Sequence, residues 1–262
     1  MSAKIITVWG SPSSGKTILA LALGARIADD KKNVIIFNGD KLIPGLSVYF
    51  PNGKFTSADS IGPLLMSNRY SDVELAQRVK LHEKTDFLAF MGLSAAENYI
   101  TYHEFTKESV VRMINKLSPQ TDYIIIDGTS NPLENMVTLT GLEISDAIIR
   151  TMTPDTKGIA YTKAAQNVYR DERFRFDEHM KMLGNVKNIS PETEIMSVMG
   201  NFDFTLNYSY EVESKMIAGE LMSSFGRSDG IRFEKTVSEI YSALNMRLTD
   251  NEKKMKFQSE EV

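Results

Sequence analysis

The sequence predicts an α/β protein with a doubly wound, mostly parallel sheet and helices on both faces. Short segments rich in β-branched residues alternate along the chain with segments of helical periodicity. Several of the short segments are apolar throughout, as in Tyr123 to Ile126, which is typical of parallel strands covered on both faces. We expect residues 1–248 to form one domain and residues 249–262 to form a flexible, charged tail.

The elements follow in order from these local patterns. Strands are predicted at 4–8, 33–37, 87–92, 122–127, 146–150 and 180–185, where β-branched and apolar residues cluster. Helices are predicted at 16–28, 60–66, 72–81, 106–117, 156–169, 211–222 and 234–244, with Thr106 as an N-cap. Residues 41–54 are rich in Pro, Gly and Asn, which favours a loop.

The composition is ordinary for a water-soluble globular protein. The chain has 262 residues, of which 42% are hydrophobic and 24% charged, and its net charge is −4. No apolar run approaches the ~20 residues that span a bilayer, and no signal-peptide pattern precedes the first strand, so we expect a cytoplasmic protein. Cysteine is absent, which excludes disulfides, zinc–thiolate sites and cysteine-ligated clusters within this chain. We interpret the three histidines as ordinary polar residues.

The segment Trp9 to Thr17 matches the P-loop pattern Gly-x4-Gly-Lys-Thr, between a predicted strand and a predicted helix. Such a loop wraps backbone N–H groups around a phosphate, and the helix that follows directs its positive dipole end at the same charge. Lys16 is expected to reach the β- and γ-phosphates and to be solvated when the loop is empty, while Thr17 offers its hydroxyl to Mg²⁺. The predicted phosphate-binding residues are Gly10, Ser11, Pro12, Ser13, Ser14, Gly15, Lys16 and Thr17.

Polar residues close three of the predicted strands, at the sheet edge where parallel α/β proteins bind ligands. Asp127 occupies the position of a carboxylate that holds Mg²⁺, or it caps a turn. Asp40 either orients an attacking water or is only the last residue of an Asn-Gly-Asp turn. Asn185 either presents its amide to a purine or is only a strand-end residue.

Taken together, these motifs resemble the ParA/MinD group of P-loop ATPases over almost the whole chain. The resemblance rests on the P-loop, the turn at Asp40, the strand ending at Asp127, Thr151 to Asp155, the strand ending at Asn185, and Tyr208 to Glu211. It implies that Lys16, Asp40 and Asp127 act in ATP hydrolysis and that Thr17, Asp40 and Asp127 surround Mg²⁺. It further implies that Asn185 contacts the base and that Pro154 and Asp155 form a nucleotide-binding turn.

The resemblance implies a switch that forms a homodimer on MgATP and positions a cargo through an unknown protein partner. The TadZ/CpaE-like and mobile-element branches fit best, because the cluster cysteines of nitrogenase-type proteins are absent and the C-terminal residues do not form a regular amphipathic membrane helix. Non-specific DNA binding is weakly supported. Its candidate residues, Arg170, Arg173, Arg175 and Lys181, are interleaved with acidic residues, which favours a solvated charged face.

Two other functions are open. One is a small-molecule ligase or kinase similar to dethiobiotin synthetase, with Gly128 to Asn131 as its substrate-contacting segment. The other is a nucleotide-binding scaffold with little turnover. The segment Gly226 to Gly230 matches Gly-x-Ser-x-Gly, but no histidine follows it, so we interpret it as a loop.

One position departs from the ParA/MinD pattern. Those proteins usually carry a second lysine directly after the first glycine of the loop, and here that residue is Ser11. In those proteins the second lysine reaches across the dimer to the partner's phosphates, whose charge a neutral hydroxyl cannot neutralise. We therefore expect weak dimerisation and slow turnover, with replacement of the missing cation by Lys41 or Lys157 as the alternative.

Overall fold

The computed structural model describes residues 2–67, 69–187, 196, 200–220 and 224–260, without the side chains of 252–260. Its strands are β1 (Lys4–Gly10), β2 (Val34–Phe37), β3 (Lys80–His82), β4 (Thr85–Met91), β5 (Tyr123–Asp127), β6 (Ala147–Met152), β7 (Met180–Val186) and β8 (Phe204–Asn207). Its helices are α1 (Lys16–Asp29), α2 (Gly45–Tyr49), α3 (Gly62–Met66), α4 (Asp72–Gln77), α5 (Lys107–Leu117), α6 (Met136–Ile144), α7 (Thr156–Val168), α8 (Tyr210–Ala218) and α9 (Ser228–Glu260).

The strands form one sheet in the order β3-β4-β2-β5-β1-β6-β7-β8. Every pairing is parallel except that of the edge strand β3 with β4. Strand β1 lies between β5 and β6, so the P-loop leaves the sheet at its centre. The mostly parallel, doubly wound sheet predicted from the sequence is confirmed.

A separate core fills each face of the sheet, because successive strand residues point to opposite sides. On β5, Ile125 packs with α1 and α9 on one face, while Ile124 and Ile126 pack with α5 on the other. All three side chains are completely buried. Full burial of each stabilises the fold by about 1.5–3 kcal/mol, which explains why the strand is apolar throughout.

Helix α4 is shorter than the helix predicted at 72–81. It begins as expected, since Ser71 and Glu74 form a reciprocal capping box, but it ends at Gln77. Residues Lys80–His82 pair antiparallel with β4 instead. Pairing with a distant strand outweighs local helix propensity there, and propensity was the only information that the sequence offered.

The last helix is longer than predicted, whereas the flexibility expected of residues 249–262 stays a prediction. The helix predicted at 234–244 is α9, which begins at Ser228 and continues to Glu260, so it runs through most of the segment predicted to be a flexible tail from 249. Residues 250–260 are mostly good helix formers, which allows the helix to continue. The predicted helix 211–222 is α8, and its last two predicted residues lie outside the described residues.

Helices α2 and α6 and strand β8 are not among the predicted elements. The Gly226 to Gly230 segment leads into α9, and hydrogen bonds between carboxylates and backbone N–H groups fix its position. The Glu211 carboxylate accepts from the backbone N–H groups of Gly226 and Arg227, and Asp229 accepts from Glu211 N–H. The loop predicted for this segment is therefore only partly correct, because Ser228 to Gly230 form the beginning of α9.

His179 is not an ordinary polar residue, because its side chain is buried in an aromatic cluster beside β1. The Trp9 indole N–H donates to His179 Nδ1 at 3.3 Å, and His179 Nε2–H donates to the Phe174 carbonyl at 2.7 Å. Burial, followed by the positive charge of Arg150, lowers the pKa of His179 to about 3. The imidazole is therefore neutral at physiological pH.

This histidine should make the folded state sensitive to acid. A folded-state pKa below the ordinary value of 6.5 contributes stability above pH 6.5 that is lost as the pH falls toward 3. At pH 5 the loss should be about 2 kcal/mol relative to pH 7. In His179→Gln the difference between the free energies of unfolding at pH 7 and pH 5, measured with urea, should shrink by about this amount.

The matched control is His103→Gln, which removes an exposed imidazole. An equal change in the two variants would contradict the assignment of the acid sensitivity to His179.

Candidate functional site

A cleft of about 490 Å³ opens at the carboxyl ends of the central strands. One end is formed by the P-loop, the start of α1 and the segment after β5, and the other by β8, α8 and α9. Of the predicted site residues, those that line it are Pro12, Ser13, Gly15, Lys16, Thr17, Asp40, Asp127 and Asn185. The fold thus gathers into one cleft residues that are far apart in the sequence.

The P-loop is held against β6. Gly10 has φ of 144°, and a Cβ on it would lie 1.9 Å from the Thr151 carbonyl oxygen, so no other residue fits without movement of the backbone. Ser11 N–H donates to the same carbonyl at 3.0 Å. Inside the loop, the Ser14 hydroxyl donates to the Ser11 carbonyl at 2.7 Å. Gly10, Ser11 and Ser14 therefore shape the loop without lining the cleft.

The beginning of α1 suits an anion. Gly15 is the N-cap residue in a left-handed conformation, no side chain caps the helix, and its first turn contains no acidic residue. Helix N-termini carry a partial positive charge and unsatisfied N–H groups, which are normally satisfied by a cap or an anionic ligand. The loop and helix thus fit a phosphate.

The Lys16 ammonium is only partly exposed. It donates to the Ser11 carbonyl and to the Ser130 hydroxyl, both at 2.8 Å. Burial lowers the pKa of Lys16 to about 8, while the negative charges of Asp127 and Asp40 act in the opposite direction. The partial burial of Lys16 and these two contacts disfavour the expectation that its ammonium is fully solvated.

Asp127 is buried at the end of β5, and its two carboxylate oxygens have different neighbours. The Thr17 hydroxyl donates to Oδ1 at 3.2 Å, whereas the Tyr49 hydroxyl and the Asn38 amide donate to Oδ2 at 2.9 and 3.4 Å. Burial raises the pKa of Asp127 to about 6, although these donors and Lys16 lower it. A desolvated carboxylate beside a threonine hydroxyl fits Mg²⁺, which prefers oxygen ligands.

Asp40 both forms a turn and lines the cleft. Its Oδ1 accepts from the backbone N–H groups of Leu42 and Ile43 at 2.7 and 3.1 Å, and its own N–H donates to Oδ1 of Asn38 at 2.9 Å. Its negative charge also acts on Lys16. The two interpretations offered by the sequence are therefore compatible in geometry.

The far end of the cleft is suited to a flat apolar group. Leu206, Val212 and Phe233 line it, with Asn185 and Tyr208 at their side. Asn185 has φ of 57°, and its amide lies 3.5 Å from the Ser13 carbonyl, so the end of β7 is linked to the P-loop. Asn185 thus lies beside the apolar end of the cleft, and its predicted contact with a base stays a prediction.

Pro154 and Asp155 do not line the cleft. Asp155 is the N-cap of α7, since its Oδ1 accepts from Gly158 N–H at 2.7 Å and from the Thr153 hydroxyl at 3.1 Å. The backbone N–H of Thr153 in turn donates to the Ser11 hydroxyl at 3.0 Å. This turn packs behind the P-loop, and its predicted contact with nucleotide stays a prediction.

Within the described residues, Lys16 is the only Lys or Arg that lines the cleft. Lys41 is buried, with its ammonium donating to the His103 carbonyl at 3.2 Å and lying over the rings of Tyr99 and Phe105. Lys157 is exposed on the first turn of α7. Lys41 is thus engaged within its own chain, and whether the exposed Lys157 replaces the lysine missing at Ser11 stays a prediction.

Two residues that contact Asp127 escaped the sequence analysis as site residues: Asn38, which lines the cleft, and Tyr49, which lies behind the Asp127 carboxylate. No local motif marks them, because their partner Asp127 is distant in sequence. Thr129, beside Ser130 in the lining, has a buried hydroxyl without a hydrogen-bond partner. A ligand in the cleft could satisfy that hydroxyl.

Two surface expectations can be compared with the structure. Among the described residues, no helix combines the length and apolar character needed to cross a bilayer. Of the basic residues considered for DNA, Arg173 forms ion pairs with Glu143 and Asp171, and Arg175 donates to the Ser145 carbonyl at 2.5 Å. These contacts favour an internally paired charged face over a free basic patch.

By sequence, the chain matches no protein-family model and no curated protein. Its sheet order, P-loop and cleft are those of a P-loop NTPase fold. Among solved structures it is similar to a ParA family ATPase from Chlorobium tepidum TLS, with 15% identity, a TM-score of 0.73, and coverage of 92% of this chain and 99% of that one.

It is also similar to the septum site-determining protein MinD from Pyrococcus horikoshii OT3, complexed with Mg-ADP, with 15% identity and a TM-score of 0.68 over 94% of this chain and 98% of that one. A third similarity is to the MinC:MinD cell division protein complex of Aquifex aeolicus, with 13% identity and a TM-score of 0.67 over 92% and 96%. The chain therefore has the ParA/MinD-type fold.

Proposed function

We propose that this protein is an ATP-binding switch of ParA/MinD type that hydrolyses ATP slowly, dimerises on MgATP and positions a cargo in the cytoplasm. The observation that carries the proposal is the convergence of Lys16, Thr17, Asp40 and Asp127 beside an uncapped helix N-terminus in one cleft. The similarity to nucleotide-bound MinD supports the same ligand. A pilus or secretion machine, a plasmid or a mobile element is the proposed cargo, reached through a protein partner.

Each part of the proposed nucleotide site has its own residues. The P-loop backbone and Lys16 hold the β- and γ-phosphates, and Thr17, Asp127 and Asp40 surround Mg²⁺. A bound Mg²⁺ would neutralise developing phosphoryl charge. Asp40 orients the attacking water, and the Asn185 amide meets the base. Because each of these groups is fixed by the fold before binding, little reorganisation is needed.

Lys16→Ala should weaken MgADP binding by about 100-fold or more, the order expected when one partner of a desolvated charge pair is removed. Titration calorimetry measures this affinity, and circular dichroism establishes that the variant is folded. The matched control is Lys163→Ala, which removes an exposed lysine from α7. A folded Lys16→Ala protein that binds MgADP as tightly as the parent would refute the P-loop assignment.

Asp40→Asn separates the turn from the chemistry, since asparagine can still accept from Leu42 and Ile43 but carries no charge. We expect MgATP affinity within about tenfold of the parent and single-turnover hydrolysis slower by about 100-fold. Asp40→Ala should slow hydrolysis similarly and also loosen the turn. If Asp40→Asn hydrolyses ATP at the parent rate, Asp40 is a turn residue alone.

Turnover and dimerisation of the parent should be weak because Ser11 provides no cation. Ser11→Lys should raise single-turnover hydrolysis and ATP-dependent dimerisation, whereas Ser11→Met, of similar length but uncharged, should not. The buried Ser11 hydroxyl accepts from Thr153, so both variants lose that contact and differ only in charge. If the parent hydrolyses ATP rapidly and Lys41→Ala or Lys157→Ala slows this hydrolysis, another lysine already replaces the cation missing at Ser11.

The same hydrolysis assay tests the alternative functions. Phosphate release without a second substrate supports the switch, whereas release that depends on an added small molecule supports the ligase or kinase. Tight nucleotide binding without release in either condition supports the scaffold.

A further inference from the structure

The two oxygens of Asp127 face different parts of the protein. Oδ1 accepts from Thr17, the residue that the proposed function places on Mg²⁺. Oδ2 accepts from the hydroxyl of Tyr49 at 2.9 Å, while the Asn38 amide reaches both Oδ2, at 3.4 Å, and the Asp127 backbone carbonyl, at 3.1 Å. The carboxylate is therefore held from behind, with its other oxygen directed to the threonine.

The position of Tyr49 is itself fixed by packing. Its side chain is buried, and its ring packs on Phe90 with a centroid separation of 5.2 Å. A tyrosine confined in this way loses little further freedom when its hydroxyl binds a partner. The hydroxyl can thus impose an orientation on Asp127 instead of following it.

Tyr49 also connects Asp127 to the segment that carries Asp40. It is the last residue of α2, the short helix that follows the Asp40 turn. Val48, on the same helix, lines the cleft together with Asp40. A displacement of α2 would move the Tyr49 hydroxyl away from Asp127, and a rotation of the Asp127 carboxylate would release α2.

We propose that Tyr49 is a positioning residue that orients Asp127 for Mg²⁺ and couples metal binding to helix α2 and the Asp40 turn. The inference rests on the proposed function, because it assigns Mg²⁺ to the Thr17 side of Asp127. Groups that orient a metal-binding carboxylate through its outer oxygen typically change metal affinity by about 10- to 100-fold when removed. Tyr49 is a positioning residue and not a catalytic one, since it acts through Asp127.

The test is Tyr49→Phe, which removes the hydroxyl and keeps the ring. ADP affinity is measured by calorimetry without metal and over a series of Mg²⁺ concentrations. We expect the ADP affinity without metal to stay at the parent value. The Mg²⁺ concentration that produces half of the maximal change in ADP affinity should rise by about tenfold or more. A purely structural role would change both affinities or neither.

The matched control is Tyr102→Phe. The Tyr102 hydroxyl also donates to a carboxylate, that of Glu97, at 2.5 Å, but neither residue lines the cleft. Its removal should leave the Mg²⁺ dependence unchanged. An equal effect of the two variants, or an unchanged Mg²⁺ dependence in Tyr49→Phe, would overturn the proposal.

A second readout does not need nucleotide. Amide hydrogen exchange in residues 45–50 of the ligand-free protein should be faster in Tyr49→Phe than in the parent and unchanged in Tyr102→Phe. If the parent binds no ADP, the proposed function fails, and this exchange measurement still decides whether Tyr49 holds α2 to Asp127. Unchanged exchange in Tyr49→Phe would overturn the link by itself.

Discussion

The burial of one carboxylate, that of Asp127, is the constraint on which the cleft depends. Donors from three separate elements, α1, α2 and the end of β2, converge on it and offset part of the cost of its burial. The pKa of Asp127 is still raised from 3.8 to about 6 after this compensation, which corresponds to about 3 kcal/mol of net unfavourable free energy for the charged form. Because this compensation is incomplete, a cation such as the proposed Mg²⁺ would stabilise the charged carboxylate.

Local signals account for the part of this arrangement that the sequence predicted. Three of the predicted features depend only on neighbours within a few positions: the P-loop, the apolar strand before Asp127 and the capping residue Thr106. In the structure the Thr106 side chain accepts from Ser109 N–H, as expected. The strand alternation placed Asp127 and Asn185 at one edge of the sheet because parallel strands all end there. These features follow from sequence because no distant contact is needed to specify them.

Other features depend on partners that a local pattern does not identify. Tyr49 lies in a segment whose Pro, Gly and Asn content predicted a loop, and its contact with Asp127 spans the interval from α2 to β5. His179 has no motif, and only the packing of Trp9 and Phe176 around it withdraws it from water. The Asp155 side chain caps its own helix, while the nucleotide contact that its motif implies stays a prediction.

The charge of the cleft affects how the proposed switch would distinguish its ATP-bound state from its ADP-bound state. Lys16 is the only lysine or arginine among the described lining residues, and the N-terminus of α1 adds a partial positive charge. In the proposed function, a triphosphate would bring more negative charge than these two sources neutralise, and the charge of its γ-phosphate would be added beside Asp40 and Asp127, which are themselves negative. Binding of the triphosphate would therefore depend more on Mg²⁺, and on any cation contributed by a second chain, than binding of the diphosphate. Because Ser11 cannot contribute such a cation, the proposed metal site would be the main element by which the two nucleotides are discriminated.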